Sequence, residues 1–315
     1  MNIRIISPSG AIDPQYIDAA KQRLLSWGHI VTEGHYVRCS WGRFAATDEQ
    51  RLSDINEAFA DPEVEAILCA RGGYGLQRIL DQIKPTRKLV IGFSDITALH
   101  QLMQTQGVPS LHAIMCKHIA TLPEDSVALQ RFRKTLKEFK VESLKIKEVA
   151  PNGDSLKFTP HPLNRPGTCR GTLIGGNLSV LYGLQGTPYG LGSSGVEEER
   201  SRVNTILFIE DIAERHYHID RMMQNLRMSG VLAHLSGLIV GQFTDCEEDK
   251  GMLGKRGCES IYETILRSVE GYDYPVLFDF PAGHINNNHP LWLGKVVEIE
   301  VTPNISRVTC ACEGY

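Results

Sequence analysis

Four short stretches of this sequence hold residues that could do chemistry together. The run from Val90 to Thr97 places Ser94 two residues after Gly92, where an apolar stretch stops and a helical pattern begins. A serine at the carboxyl end of a buried strand stands where open α/β sheets bind ligands. The backbone N–H groups of the following helix, Asp95 first, could receive an oxyanion. The layout is like a nucleophile elbow, except that Ile96 occupies the second glycine position of G-x-S-x-G. Ser94 could equally be the N-cap of the helix that follows.

The second stretch is Ala70, Arg71, Gly72, Gly73, Tyr74 and Gly75, directly after an apolar run ending at Cys69. Glycines let backbone approach a ligand closely, and their N–H groups can form an anion nest. The nucleotide patterns G-x-G-x-x-G and G-x-x-x-x-G-K-[ST] do not fit here, so an oxyanion is the better guest than a phosphate. A ligand-free turn explains the glycines equally well. Third, Glu210 and Asp211 end the apolar run beginning at Thr205. Such a carboxylate could orient a histidine or cap a turn. Fourth, His284 follows Gly283 on a loop and could be a base or a structural imidazole. Neutral serine needs a positioned imidazole to take its proton, and the imidazole needs an anion to hold it. Ser94, His284 and Glu210 supply those types.

The elements that must position these residues follow from patterning. Asp13 to Trp27 reads as an amphipathic helix with Asp13 as N-cap and Pro14 at its first position. Further helices are expected at Asp48–Phe59, Gln77–Ile83 and Asp95–Gln106, and strands at Ile3–Ser7, Ala66–Cys69 and Leu89–Gly92. This alternation implies an open parallel-sheet α/β domain over residues 1–149. Residues 150–168 carry several Pro and Gly and read as a linker. Over residues 169–315, strands at Thr172–Ile174, Thr205–Glu210, Leu238–Gln242, Val276–Phe278 and Lys295–Val301 mix with helices near Leu178–Leu184, Ile219–Ser229 and Ser260–Val269. That portion reads as a smaller, mixed α/β domain.

Composition narrows the function. The chain has 315 residues, 42% hydrophobic and 22% charged, with a formal net charge of -4. Lys and Arg are scattered, which argues against a nucleic-acid partner. No apolar run reaches the about 18 residues of a membrane helix, and Met1 to Gly10 lacks a signal-peptide pattern, so the expected location is cytoplasmic. The eight cysteines are dispersed and are expected as reduced thiols. Cys310 and Cys312 lack a matching second pair, and His216 with His218 lacks a third ligand, so neither a metal nor another cofactor is expected.

Taken in order, ISPSG (6–10), ARGGYG (70–75), GFSDITALH (92–100), GTLIGGNLSVL (171–181), GTPY (186–189), IEDI (209–212), DRMMQNLRMSG (220–230), GLIVGQF (237–243) and PAGHINNNHPLWLG (281–294) resemble the LD-carboxypeptidases of peptidase family S66. The resemblance spans nearly the whole chain. It implies Ser94 as nucleophile, Glu210 and His284 as its partners, and backbone N–H groups of Asp95, Gly72 and Gly73 as oxyanion hole. It further implies an N-terminal α/β domain joined to a smaller C-terminal one with the triad split between them, a homodimer, and release of D-alanine from the murein tetrapeptide in cell-wall recycling. The substrate's terminal carboxylate calls for a cation, with Arg71 first and Arg221 second, and Tyr74 beside them. One departure stands at His112-Ala-Ile-Met115, where many members carry H-G-P-M. A related branch cleaves a peptidyl-nucleotide antibiotic and confers immunity, and that substrate stays open. An amidotransferase-like enzyme would need a cysteine at the strand end; Cys69 lies inside the strand and is expected to be inert. A binding protein with a decayed site is the remaining alternative.

Overall fold

The computed structural model describes residues 1–139, 155–192, 204–246 and 259–310. The chain divides into two units, one of residues 1–146 and 286–294, the other of 147–285 and 295–315.

The first unit carries β1 (Asn2–Ile6), α1 (Pro14–Ser26), β2 (Ile30–Glu33), α2 (Asp48–Ala60), β3 (Ala66–Cys69), β4 (Leu89–Gly92), α3 (Thr97–Thr105), β5 (Ser110–His112), α4 (Cys116–Thr121) and α5 (Val127–Glu138). Its strands β5-β4-β3-β1-β2 lie side by side in parallel, so both faces need cover, and the central strands β3 and β4 are apolar throughout. Every residue of β3 and β4 is buried. The helices supply that cover with stripes at helical spacing: Ile17, Ala20 and Leu24 on α1, and Ala128, Leu129, Phe132 and Leu136 on α5. Asp13 caps α1 by accepting from the Gln15 N–H, with Pro14 at its first position, as expected. Thr47 and Gln50 form a capping box on α2, an arrangement that contributes about 1 kcal/mol.

Strand order reverses at β1. The chain moves from β1 outward to β2, then returns to place β3 on the other side of β1. The carboxyl ends of β1 and β3 are therefore the point at which the strand order reverses, the usual ligand position in such sheets.

The second unit carries β6 (Ser155–Phe158), β7 (Gly167–Asn177), α6 (Leu178–Leu184), β8 (Thr205–Ile212), α7 (His216–Met228), β9 (Leu235–Thr244), α8 (Ile261–Ser268), β10 (Val276–Leu277), β12 (Val296–Val301) and β13 (Ser306–Cys310), where β11 is the strand Leu291–Leu293. Its sheet runs β10-β9-β8-β7-β12-β13-β6. Strands β10 to β7 pair in parallel and the remainder antiparallel. Ile219, Met222, Met223 and Leu226 of α7 join Leu207, Ile209, Leu238 and Val240 in one core. Each such side chain contributes roughly 1.5–3 kcal/mol on burial.

Both units are thus α/β, as expected, but the boundaries differ from the sequence reading. Residues 286–294 belong to the first unit, because β11 pairs antiparallel with β5 at the sheet edge. The proposed linker 150–168 contains β6 and the start of β7; Arg165 bridges to Val276, and β6 pairs with β13. Residues 150–154 lie outside the described residues, as do Cys258 and Cys312. The expected helix at 77–83 is two 3₁₀ turns, Leu76–Arg78 and Leu80–Gln82. Among the described residues, no helix is long and apolar enough to cross a membrane, and no group of His, Cys, Asp and Glu could hold a metal ion.

Candidate active site

Strand β4 ends at Gly92 and the chain turns abruptly. Ser94 has φ of 67°, a left-handed conformation that side chains other than glycine rarely adopt. Holding it costs on the order of 1–3 kcal/mol, which the surrounding packing must offset. Ser94 to Ile96 form a 3₁₀ turn leading into α3. The cap position of the turn falls to Phe93 and that of α3 to Ile96, so the N-cap reading of Ser94 is overturned. The missing glycine of the elbow also has a physical account. A Cβ on Gly92 would lie 2.9 Å from the Ile96 Cγ1, so the turn takes its one glycine at 92 and fills the space with Ile96.

The glycine loop after β3 lies directly against this turn. A Cβ on Gly72 would stand 2.8 Å from the Ser94 Cβ, 3.0 Å from its Oγ and 3.2 Å from the Asp95 N. Gly10, in the loop after β1, packs on the other side: its N–H donates to the Gly72 carbonyl at 3.0 Å, and a Cβ there would lie 2.9 Å from that oxygen. Three loops thus nest as Gly10 on Gly72 on Ser94, and only glycine lets them approach so closely. Gly73 has φ of 105° and Gly75 φ of 140°, both in glycine's own territory. Ser94, Gly72 and the Asp95 N–H are therefore neighbours, as the oxyanion expectation requires.

In the second unit, Glu210 lies on β8 and is fully buried. Its Oε2 accepts from the His284 Nδ1 at 2.7 Å. With the carboxylate oxygen as acceptor, the donor in this bond is Nδ1–H, the tautomer that carries its lone pair on Nε2. Gly283 has φ of 130°, and a Cβ there would meet the Glu210 Oε2 at 3.0 Å. Gly241 on β9 likewise leaves room beside the Glu210 Cβ, 3.2 Å from where its own Cβ would be. Glycine before the histidine is what lets the loop lie on the carboxylate.

Asp211, next to Glu210, is buried and accepts from the Asn177 side chain at 2.9 Å, the Ser179 N–H at 2.8 Å and the Ile212 N–H at 2.9 Å. Burial, then the neighbouring Glu210 charge, push its pKa up to about 7 against those bonds. Asn177 in turn caps α6 through the Val180 N–H. The pair Glu210–Asp211 therefore divides its work: one faces the imidazole, the other ties β8 to α6.

The remaining expected residues are less tightly placed. Arg71 is exposed and donates to the carbonyl of Ala11, in the loop after β1, at 2.6 Å. Tyr74 is exposed and lies 6.0 Å from the Phe44 ring. Arg221 sits on α7 in the second unit, exposed over the Tyr217 ring at 5.4 Å. His112 is fully buried at the end of β5, 5.6 Å from the Phe93 ring, and Met115 is buried after it. Cys69 is buried and its thiol is pushed well up by desolvation, which fits an inert side chain. His216 bonds Thr264 and His218 bonds Glu214, ordinary structural roles.

Sequence reading missed Ser9, Arg51 and the side chain of Asp95. One signal was present for Arg51. It falls on the α2 stripe with Ile55, Ala58 and Phe59, a spacing at which a charged residue must be buried and paired.

Comparison with known proteins bears on the family of the chain. Residues 3–113 match the LD-carboxypeptidase N-terminal domain and residues 170–299 the LD-carboxypeptidase C-terminal domain. A Bacillus subtilis protein named "probable murein peptide carboxypeptidase" is 32% identical over 291 residues, 90% of this chain and 83% of its own. The murein tetrapeptide carboxypeptidase of Pseudomonas aeruginosa is 27% identical, covering 95% of this chain and 92% of its own. The crystal structure of muramoyltetrapeptide carboxypeptidase from Oxalobacter formigenes superposes with a TM-score of 0.81 at 26% identity over the whole of both chains. A microcin C7 self-immunity protein shares the fold, with a TM-score of 0.73 at 20% identity, covering 99% of this chain and 97% of its own. With both of its domains matched in order and relatives similar over nearly its full length, the chain belongs to the LD-carboxypeptidase family of peptidases, family S66.

Proposed function

We propose that this protein is a serine LD-carboxypeptidase that releases the terminal D-alanine of murein tetrapeptide, L-Ala-D-Glu-meso-diaminopimelate-D-Ala, during cell-wall recycling. Ser94 Oγ attacks the carbonyl carbon at the L-centre of diaminopimelate, and its proton passes to His284 Nε2. Negative charge builds on the carbonyl oxygen and is received by the N–H groups of Asp95 and the Gly72–Gly73 turn. The C–N bond to D-alanine then breaks as His284 gives the proton to the leaving nitrogen. Water, activated by the same imidazole, hydrolyses the acyl-enzyme and frees the tripeptide.

The observation that most supports this reading is the 2.7 Å bond between His284 Nδ1 and the fully buried Glu210 carboxylate. It orients a base whose other nitrogen can accept a proton. The strained Ser94 beside the glycine loop adds the second half of the chemistry. Similarity to the tetrapeptide carboxypeptidases supports the substrate. Arg71 is the proposed partner of the D-alanine carboxylate, with Tyr74 beside it, and Arg221 is the second choice. The reading carries with it a cytoplasmic homodimer, which sedimentation and fractionation test.

Incubating the purified protein with the tetrapeptide and following D-alanine tests the activity. Release that disappears in Ser94→Ala is the expected result. No release by folded protein would refute this substrate and turn the test to a peptidyl-nucleotide, the substrate class of the immunity branch. A KM for Arg71→Ala equal to that of the wild type would remove Arg71 from the site.

A further inference from the structure

We propose that the carboxylate of Asp95 is a positioning group, which sets the anion-receiving pocket around Ser94 by gripping the loops after β1 and β3 from the turn after β4. This rests on the reading of Ser94 as nucleophile and adds a side-chain role to a residue otherwise noted for its N–H.

Asp95 is 2% exposed. Its Oδ2 accepts from the Ser9 Oγ at 2.6 Å and from the Leu76 N–H at 3.0 Å. Ser9 lies in the loop after β1, Leu76 at the end of the glycine loop after β3, and Asp95 in the turn after β4. These strands are neighbours in the order β4-β3-β1. One oxygen thus joins three loops at the carboxyl end of the sheet. The Gly72–Ser94 approach is a van der Waals contact and sets no direction, whereas these two hydrogen bonds do.

A second buried group grips the same loops. Arg51 is 1% exposed and donates to the Pro8 carbonyl and, at 3.1 Å, to the Gly75 carbonyl. Burial raises the Asp95 pKa, and the Ser9 and Leu76 bonds and the Arg51 charge oppose that rise. Stability alone does not call for this pair, since well-packed apolar side chains often replace buried ions at no loss. Direction does call for it. An oxyanion donor must sit within tenths of an ångström of its place, and the Asp95 N–H stands on the backbone that this carboxylate anchors.

Both donors fall on a single oxygen, which gives a sharp test. In Asp95→Asn the side-chain carbonyl can still accept from Ser9 and Leu76. In Asp95→Ala neither bond survives, and Ser9→Ala removes one. Each variant is assayed for tetrapeptide turnover and for phosphonylation of Ser94 by a fluorophosphonate, read by mass spectrometry, with thermal melting as the check on folding. Losing a well-placed oxyanion donor costs about 10²- to 10³-fold. The expected result is a fall of about 100-fold in kcat and in labelling rate for Asp95→Ala, with KM within about threefold. Asp95→Asn should recover to within about tenfold of wild type, and Ser9→Ala should fall between them. Folded Asp95→Ala that labels and turns over like wild type would overturn the proposal, as would a loss expressed in KM alone. If Asp95→Ala does not fold, an unchanged kcat and labelling rate in Ser9→Ala overturns it. Failure of the wild type to label at Ser94 would instead sink the serine reading itself.

Discussion

Replacing Gly72 by alanine should inactivate the enzyme while leaving it folded. The added Cβ would stand 2.8 Å from the Ser94 Cβ, 3.0 Å from its Oγ and 3.2 Å from the Asp95 N. Carbon atoms rest at about 3.5 Å or more, so the two backbones must separate by roughly 0.7 Å. The loop cannot simply slide away, because the Gly72 carbonyl accepts from the Gly10 N–H at 3.0 Å on its far side. Overpacking of this kind costs about 1–3 kcal/mol of stability, tolerable in a domain. Its effect on chemistry is larger: a misplacement near 1 Å costs about 10²-fold, and a lost oxyanion donor a similar factor. The assay is D-alanine release from the tetrapeptide, with kcat and KM determined separately and melting temperature recorded. A kcat about 100-fold down, with a cooperative melt retained, is expected. A folded Gly72→Ala enzyme within about threefold of wild type would refute the nesting of Gly72 against Ser94 as the basis of the site.

Three further outcomes follow from the same geometry. Glu210→Gln keeps the shape but not the charge that orients His284, and kcat should fall by about 10⁴-fold at nearly constant KM, measured by the same release assay. His100, which donates from Nε2 to the Gly92 carbonyl at 2.9 Å and accepts at Nδ1 from Ser110, is held neutral by burial with its pKa lowered from 6.5 to about 4. The unfolded chain binds that proton first, so stability should be lost as pH falls from 6.5 towards 4. Urea midpoints across that window should drop less in His100→Gln. Asp211 titrates the other way. Its folded pKa is raised from 3.8 to about 7, so the folded state holds the extra proton between these values. Stability relative to Asp211→Asn should therefore decline as pH rises from about 4 to about 7 and level off above, which thermal melts at stepped pH would show.

Much of this architecture was legible locally. The strand runs at 66–69 and 89–92, the Asp13 cap with Pro14, and the helix starting at Asp48 were readable from apolar runs, burial period and capping residues. Two strands were not: β2 lies at the sheet edge with Thr32 and Glu33 in its second half and only Val31 buried, and β5 has three residues and is polar at both ends. The return of β11 to the first sheet was invisible, since an edge pairing of three residues leaves no signal in its own sequence.

The amino-acid sequence by itself determined that serine, glycine loop, carboxylate and histidine each stand at or beyond a strand end. It also determined the α/β class, because caps, periods and apolar runs act within a few residues of themselves. Only the tertiary structure decided who meets whom. Glu210 and His284 are 74 residues apart, Ser9 and Asp95 are 86 apart, and Arg51 reaches Pro8 across 43. Such partners are chosen by strand order and by the absence of a Cβ at Gly10, Gly72 and Gly283. They come together only after the entropy of closing long loops has been overcome by the burial of both sheets.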